Sequence, residues 1–226
     1  MFAVRCVVTF FLSTIAFVFL LLANLSGAKA PFVRNLYFSK IEDQYGQYIW
    51  TMYNFCSFSG KELTGTGTCS ATKAAYPYEP YKWGSGFSRY DVYKNGSKAA
   101  YALILVALLL TILANVANLA AFFRRSSKLF CVYKFTTLAA LSLIFIGAVI
   151  NTGLHKNGTK RIVKDGVYTA HMGKTMIAFI WLPVILQLAS VLVSFLWRVK
   201  QSSRDVLDDK EHYEENPFES SERRAL

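Results

Sequence analysis

Two cysteines, Cys56 and Cys69, bracket a glycine- and threonine-rich stretch that begins just after Trp50 (WTMYNFCSFSGKELTGTGTC, 50–69). Sulfur at that spacing supports four chemistries: part of a metal site, a redox pair, the ends of a nucleotide loop, or a structural disulfide. Each needs company. Zinc takes four ligands, and the histidines that could share a compartment with these thiols, His155 and His171, stand far along the chain in no ligand pattern. A redox pair needs C-x-x-C, which is absent. The GTGTC glycines are not followed by the lysine and helix of a phosphate loop. The choice therefore turns on the compartment, and on the elements that set it.

Those elements are apolar. The chain of 226 residues is 54% hydrophobic and only 17% charged, too apolar for an ordinary soluble domain. Four stretches (6–25, 99–123, 129–150 and 175–197) lack Asp, Glu, Lys and Arg, apart from Lys134 near the start of the third. Each reaches the ~20 residues a helix needs to cross a hydrocarbon core. Helical hydrogen bonding is how such a segment satisfies its backbone without water. Four transmembrane helices follow. The first resembles a signal peptide and even carries Ala28-Lys29-Ala30, but its apolar run is too long for a signal core. Pro31 would sit just past the cut, so a retained helix is expected.

Four spans put both termini on one side. Lysine and arginine counts do not choose it, because the second loop (Arg124, Arg125, Lys128, Lys134) and the third (Lys156, Lys160, Arg161, Lys164, Lys174) are both basic. Two N-glycosylation acceptor patterns, Asn95-Gly96-Ser97 and Asn157-Gly158-Thr159, fall in the first and third loops, which share a side. The tail is basic beside the membrane (Arg198, Lys200, Arg204) and acidic beyond, which suits an anionic cytoplasmic leaflet. The expected layout is a cytoplasmic N-terminus (1–5), extracellular domain (26–98), cytoplasmic turn (124–128), extracellular loop (151–174) and disordered cytoplasmic tail (198–226) around the four spans.

The first outer loop carries sixteen aromatic residues. That is too many for a disordered tether. FVRNLYFSKI and QYIWTMYNF are rich in β-formers, while YPYEPYKWGSG reads as turns. A short sheet on the bundle is expected. In an oxidising compartment Cys56 and Cys69 then read as a disulfide. Closing so short a loop removes roughly 3 kcal/mol of unfolded-state entropy. The fold class is an all-α membrane protein: a four-helix bundle with a small, disulfide-stapled, β-containing extracellular domain. Cys6 and Cys131, near the cytoplasmic ends of spans one and three, are candidates for palmitoylation or ordinary buried thiols.

The layout and the loop YIWTMYNFCSFSGKELTGTGTCSATKAAYPYEP (48–80) resemble the fungal Sur-seven/PalI family of claudin-like tetraspan proteins. The matching positions are Trp50, Cys56, Cys69 and Ala75-Tyr76-Pro77; Phe55 stands where the family has a glycine before its first cysteine. The resemblance implies a plasma-membrane protein of cortical patches, or eisosomes, with roles in membrane organisation, endocytosis and cell-wall integrity. The PalI branch implies ambient-pH signalling instead. Its implied partners are the lipid bilayer and other patch proteins, including further copies of itself.

The remaining motifs fit that reading. Asn216-Pro217-Phe218, in the acidic tail, resembles the ligands of EH domains in endocytic adaptors. Asn115 and Asn118 on span two, and Gln187 and Ser190 on span four, form polar stripes suited to helix packing. A channel or transporter, the second alternative, would be expected to bury ionisable groups in its spans. No enzyme motif such as H-E-x-x-H or G-x-S-x-G occurs. No catalytic residue, metal, cofactor or nucleic-acid partner is expected. The outer loops hold 14 basic and 6 acidic residues, which points to an anionic cell-wall polymer or lipid headgroups.

Overall fold

Apolar runs without water can satisfy their backbones only along their own length, and all four runs are helical. In the computed structural model, which describes residues 2–26, 36–60, 67–83, 87, 89–164 and 166–215 (backbone alone at 2 and from 197), the helices are α1 (Phe2–Asn24), α2 (Tyr90–Arg124), α3 (Ser127–Lys164) and α4 (Lys174–Glu215). Each is long and apolar enough to cross a bilayer, so the chain is a multi-pass membrane protein. Between α1 and α2 lie strands β1 (Ser39–Glu42), β2 (Gly46–Trp50), β3 (Phe55–Ser59) and β4 (Gly67–Cys69); β5 (Thr169–Met172) precedes α4. All pair antiparallel, in the order β4-β3-β2-β1-β5. The segment between α3 and α4 thus completes a sheet expected from the first long loop alone.

At the sheet end two helices outrun their uncharged stretches. α2 starts nine residues before position 99, and α3 continues fourteen residues past 150. At 1.5 Å per residue these extensions rise roughly 15–20 Å beyond the span. The extension of α3 follows from an apolar and small-residue face: Asn151, Leu154, His155, Gly158, Thr159 and Ile162 are all buried, a helical spacing that lays one side on the sheet. So residues 151–164, expected as loop, are helix. At the other end α4 remains helical to Glu215, through the first part of the expected disordered tail. The turn between α2 and α3 is two residues long, with Arg125 in the left-handed region (φ 47°) and its N–H bonded to the Ala121 carbonyl.

One apolar core runs from the membrane into the sheet layer. Leu20, Ile104, Ile144, Met176 and Ile180 from the four helices pack with Phe38, just before β1, and Met52, in the turn between β2 and β3. Small residues let the helices approach, as at Gly147, where an added Cβ would stand 2.9 Å from Ile104. Apolar side chains such as Leu113, Val116, Phe135 and Ile185 point outward, as a lipid-facing surface requires.

Toward the opposite end a buried polar seam ties the helices together. Asn118 donates to Thr9 Oγ1 at 3.0 Å and to the Cys6 carbonyl at 3.2 Å. Gln187 donates to Thr111 at 2.7 Å, and Ser190 meets the Tyr133 hydroxyl at 2.5 Å. Asn115 is half-buried beside this seam. Arg5 closes the end, donating to the Ser194 carbonyl at 2.6 Å with its guanidinium over Phe130. Hydrogen bonds of this kind contribute about 0.6 kcal/mol each on average in a membrane, and up to roughly 2. Gln187→Leu should therefore lower the stability to SDS unfolding in mixed micelles by about 1 kcal/mol, whereas the lipid-facing Leu113→Ala should change it little.

Candidate functional site

The sheet end of the bundle holds most of the residues the sequence singles out. Thr51 and Asn54 close the turn between β2 and β3, with the Thr51 hydroxyl donating to Asn54 Oδ1 at 2.7 Å. That turn places Trp50 opposite Phe55 and Ile49 opposite Cys56. On the other flank Cys56 pairs directly with Cys69, and a disulfide joins them. The second glycine of GTGTC has a packing role: a Cβ on Gly67 would stand 2.4 Å from the Phe58 ring, so only glycine lets β4 lie over that side chain. The staple thus fixes an edge strand.

Trp50 is buried among Phe55 (centroids 4.8 Å), Tyr78 (5.5 Å, edge-on) and Trp83 (6.4 Å). The Ala75-Tyr76-Pro77 segment delivers Tyr78 to it. Ala75 adopts φ 53° and reverses the chain, the Tyr76 N–H bonds the Met52 carbonyl at 3.0 Å, and the Tyr78 N–H bonds Ser97 Oγ at 3.0 Å. Tyr78 then lies wholly buried with its hydroxyl against Gly158, where a Cβ would stand 2.3 Å away. Both acceptor patterns meet here. Gly96 faces Leu154 across α2 and α3 (2.8 Å from an added Cβ), Ser97 holds the Tyr78 backbone, and Thr159 donates to the His155 carbonyl. Glycine and hydroxyl thus have packing reasons at each, while Asn95 and Asn157 are exposed.

At the centre of this layer sits His155, which the sequence offers only as a distant metal ligand in no ligand pattern. Its ring stacks on Phe38 (5.1 Å) and Tyr78 (4.0 Å), and Nδ1 lies 3.0 Å from Ser39 Oγ. The signal that finds it is the helical spacing of Asn151, Leu154, His155 and Gly158. A serine beside a histidine has the geometry of a nucleophile and base, but both are buried, and the adjoining cavity of about 20 Å³ holds no more than a water. Burial also drops the His155 pKa from its ordinary 6.5 to about 3. Among the described residues, no group of three or more His, Cys, Asp and Glu side chains converges as a metal site would.

Of the other expected positions, Cys6 is buried and Cys131 exposed. Asn216, Pro217 and Phe218 lie outside the described residues. Four membrane helices carrying a disulfide-stapled antiparallel sheet define a claudin-like membrane protein. A family model described as SUR7/PalI family matches residues 6–193, and the chain belongs to that family. The SUR7 family protein FMP45 of Saccharomyces cerevisiae is 24% identical over 172 residues, covering 73% of this chain. The match spans about half (54%) of that relative's length.

The staple and the histidine each give a measurable expectation. Cys56→Ser with Cys69→Ser should cost roughly 3 kcal/mol of sheet stability, read as faster proteolysis of the sheet without loss of the helical signal. For His155, the unfolded chain takes up a proton below pH 6.5 and the folded chain only near 3. Stability should fall as pH drops through that window, by up to about 1.4 kcal/mol per pH unit. Thermal unfolding of His155→Phe, compared with the parent chain from pH 7 to 4, should show a flatter profile.

Proposed function

We propose that the protein is a non-enzymatic organiser of plasma-membrane domains of the cortical-patch or eisosome type, supporting cell-wall integrity and endocytosis. The sheet end faces the outside, and both termini are cytoplasmic. The observation that carries this reading is the unbroken core joining Leu20, Ile144 and Ile180 to Phe38 and Met52. A bundle fused to its outer layer presents one fixed surface above the membrane and an apolar flank to its neighbours within it. Such a body suits lateral packing with other patch proteins or with its own copies. Enclosure of Ser39 and His155 argues against turnover of a substrate there. Family membership supports the setting.

The partners follow from position. The tail would offer Asn216-Pro217-Phe218 to an endocytic EH-domain adaptor, and the exposed Cys131 lies at the same end for palmitoylation. Asn95 would carry a glycan, and the basic outer surface would attract anionic wall polymer. The PalI-type reading, an auxiliary in ambient-pH sensing, gains nothing from His155, which stays neutral until pH falls to about 3.

A fluorescently tagged chain in living fungal cells tests the proposal. Immobile cortical patches are expected, with altered wall-stress tolerance on deletion. A diffuse membrane signal with a lost alkaline response would favour the pH-signalling reading and sink this one. External protease that removes a C-terminal tag from intact cells would reverse the orientation.

A further inference from the structure

Where α2 and α3 rise beyond the membrane, a groove of about 410 Å³ opens between them, lined by Arg89, Val92, Tyr93, Leu154, Asn157 and Arg161. It lies on the sheet side of the close approach at Gly96 and Leu154. Arg89 directly precedes α2, and Asn157 and Arg161 stand one helical turn apart on α3. The Arg161 guanidinium rests 5.5 Å from the Phe87 ring, which in turn packs edge-on against Tyr93 at 5.4 Å. The floor is apolar and aromatic; the rim carries two guanidinium groups and an amide. Lys164 extends the same helix face, and Asp91, in the first turn of α2, is an acid two positions from Arg89.

From these observations we infer that the groove binds an anionic carbohydrate, a sugar ring bearing a phosphate or carboxylate. Two guanidinium groups lining one groove suit an oxyanion held by charge-assisted hydrogen bonds. The Asn157 amide supplies a donor and an acceptor for hydroxyls, and Val92, Leu154 and Tyr93 suit the carbon face of a sugar ring. Height selects against phospholipid. Arg89 stands ten residues before the span at 99, and Arg161 eleven past the span that ends at 150. That is about 15 Å of helix, whereas the headgroup layer is only about 5–8 Å thick. An ordinary lipid phosphate falls short. The inference rests on the reading that this end faces the outside, where such polymers are.

Calorimetric titration of the full chain in neutral phosphatidylcholine nanodiscs tests it. Both ends are accessible there, so the groove and the orientation fail separately. Tri-galacturonate and mannose 6-phosphate are the acidic probes, and maltotriose is the neutral control. At least one acidic probe should bind, with affinity that falls as salt rises. Which one binds sets carboxylate against phosphate. Arg89→Gln and Arg161→Gln should each weaken binding about tenfold or more, with the unfolding midpoint unchanged, whereas Lys73→Gln, exposed and remote from the groove, should not. Asn157→Gln removes the glycan acceptor but keeps an amide, so binding should persist in that background. Failure of both acidic probes, equal binding of maltotriose, or wild-type affinity in the Arg89→Gln/Arg161→Gln double variant would overturn the proposal.

Discussion

Tyr78 lies against the backbone of Gly158 with no room for a single carbon between them, and the architecture above the membrane depends on that contact. It brings the segment after the stapled strands onto α3. It also forms one face of the slot that holds His155, whose other face is Phe38. Through Ser97 the same tyrosine is tied to α2. A membrane helix, an outer helix extension and the sheet are therefore one packed unit. In a small outer layer with little apolar volume of its own, borrowing the ends of two long helices supplies the missing core.

The parts of this design differ in how plainly the sequence states them. The four spans follow from the absence of charge, because hydrocarbon admits few alternatives to an apolar helix. The disulfide is legible for a similar reason: two cysteines in an oxidising compartment have few other stable fates. The outer helix extensions are written in a weaker pattern. Asn151, Leu154, His155, Gly158 and Thr159 carry a helical period, yet their glycines, polar residues and flanking lysines lower helix propensity and suggest a loop. Tertiary packing on Tyr78 and the sheet overrides that local preference. β5 is harder still, since Thr169–Met172 is four residues long and finds its partner about 130 positions earlier. Nothing local specifies that pairing.

The polar seam and the outer core show two ways of holding a membrane protein together. Inside the bundle, amide and hydroxyl groups of Thr9, Asn118, Thr111 and Gln187 satisfy one another where water is scarce. At the sheet end, aromatic rings do the work by area and shape: Trp50, Phe55, Tyr78 and Trp83 surround one another with a single layer of strands as support. Sequence stripes indicated the first arrangement, because Asn118, Gln187 and Ser190 lie at helical spacing. Which helices they join was not readable, since α1 enters the seam through Thr9, whose stripe with Arg5 and Ser13 does not say which helix it faces.

The position of β5 in the sheet also sets an order of assembly. β1 to β4 emerge together early in synthesis, but β1 keeps an open edge until the strand that covers it has reached the same side of the membrane. That strand follows α3, so the outer layer closes only after the third helix is in place and the fourth is about to enter. Until then the open edge is a template for pairing with any extended chain nearby. Completion of the sheet is thus a report, on one side of the membrane, that nearly the whole chain has been threaded correctly through it.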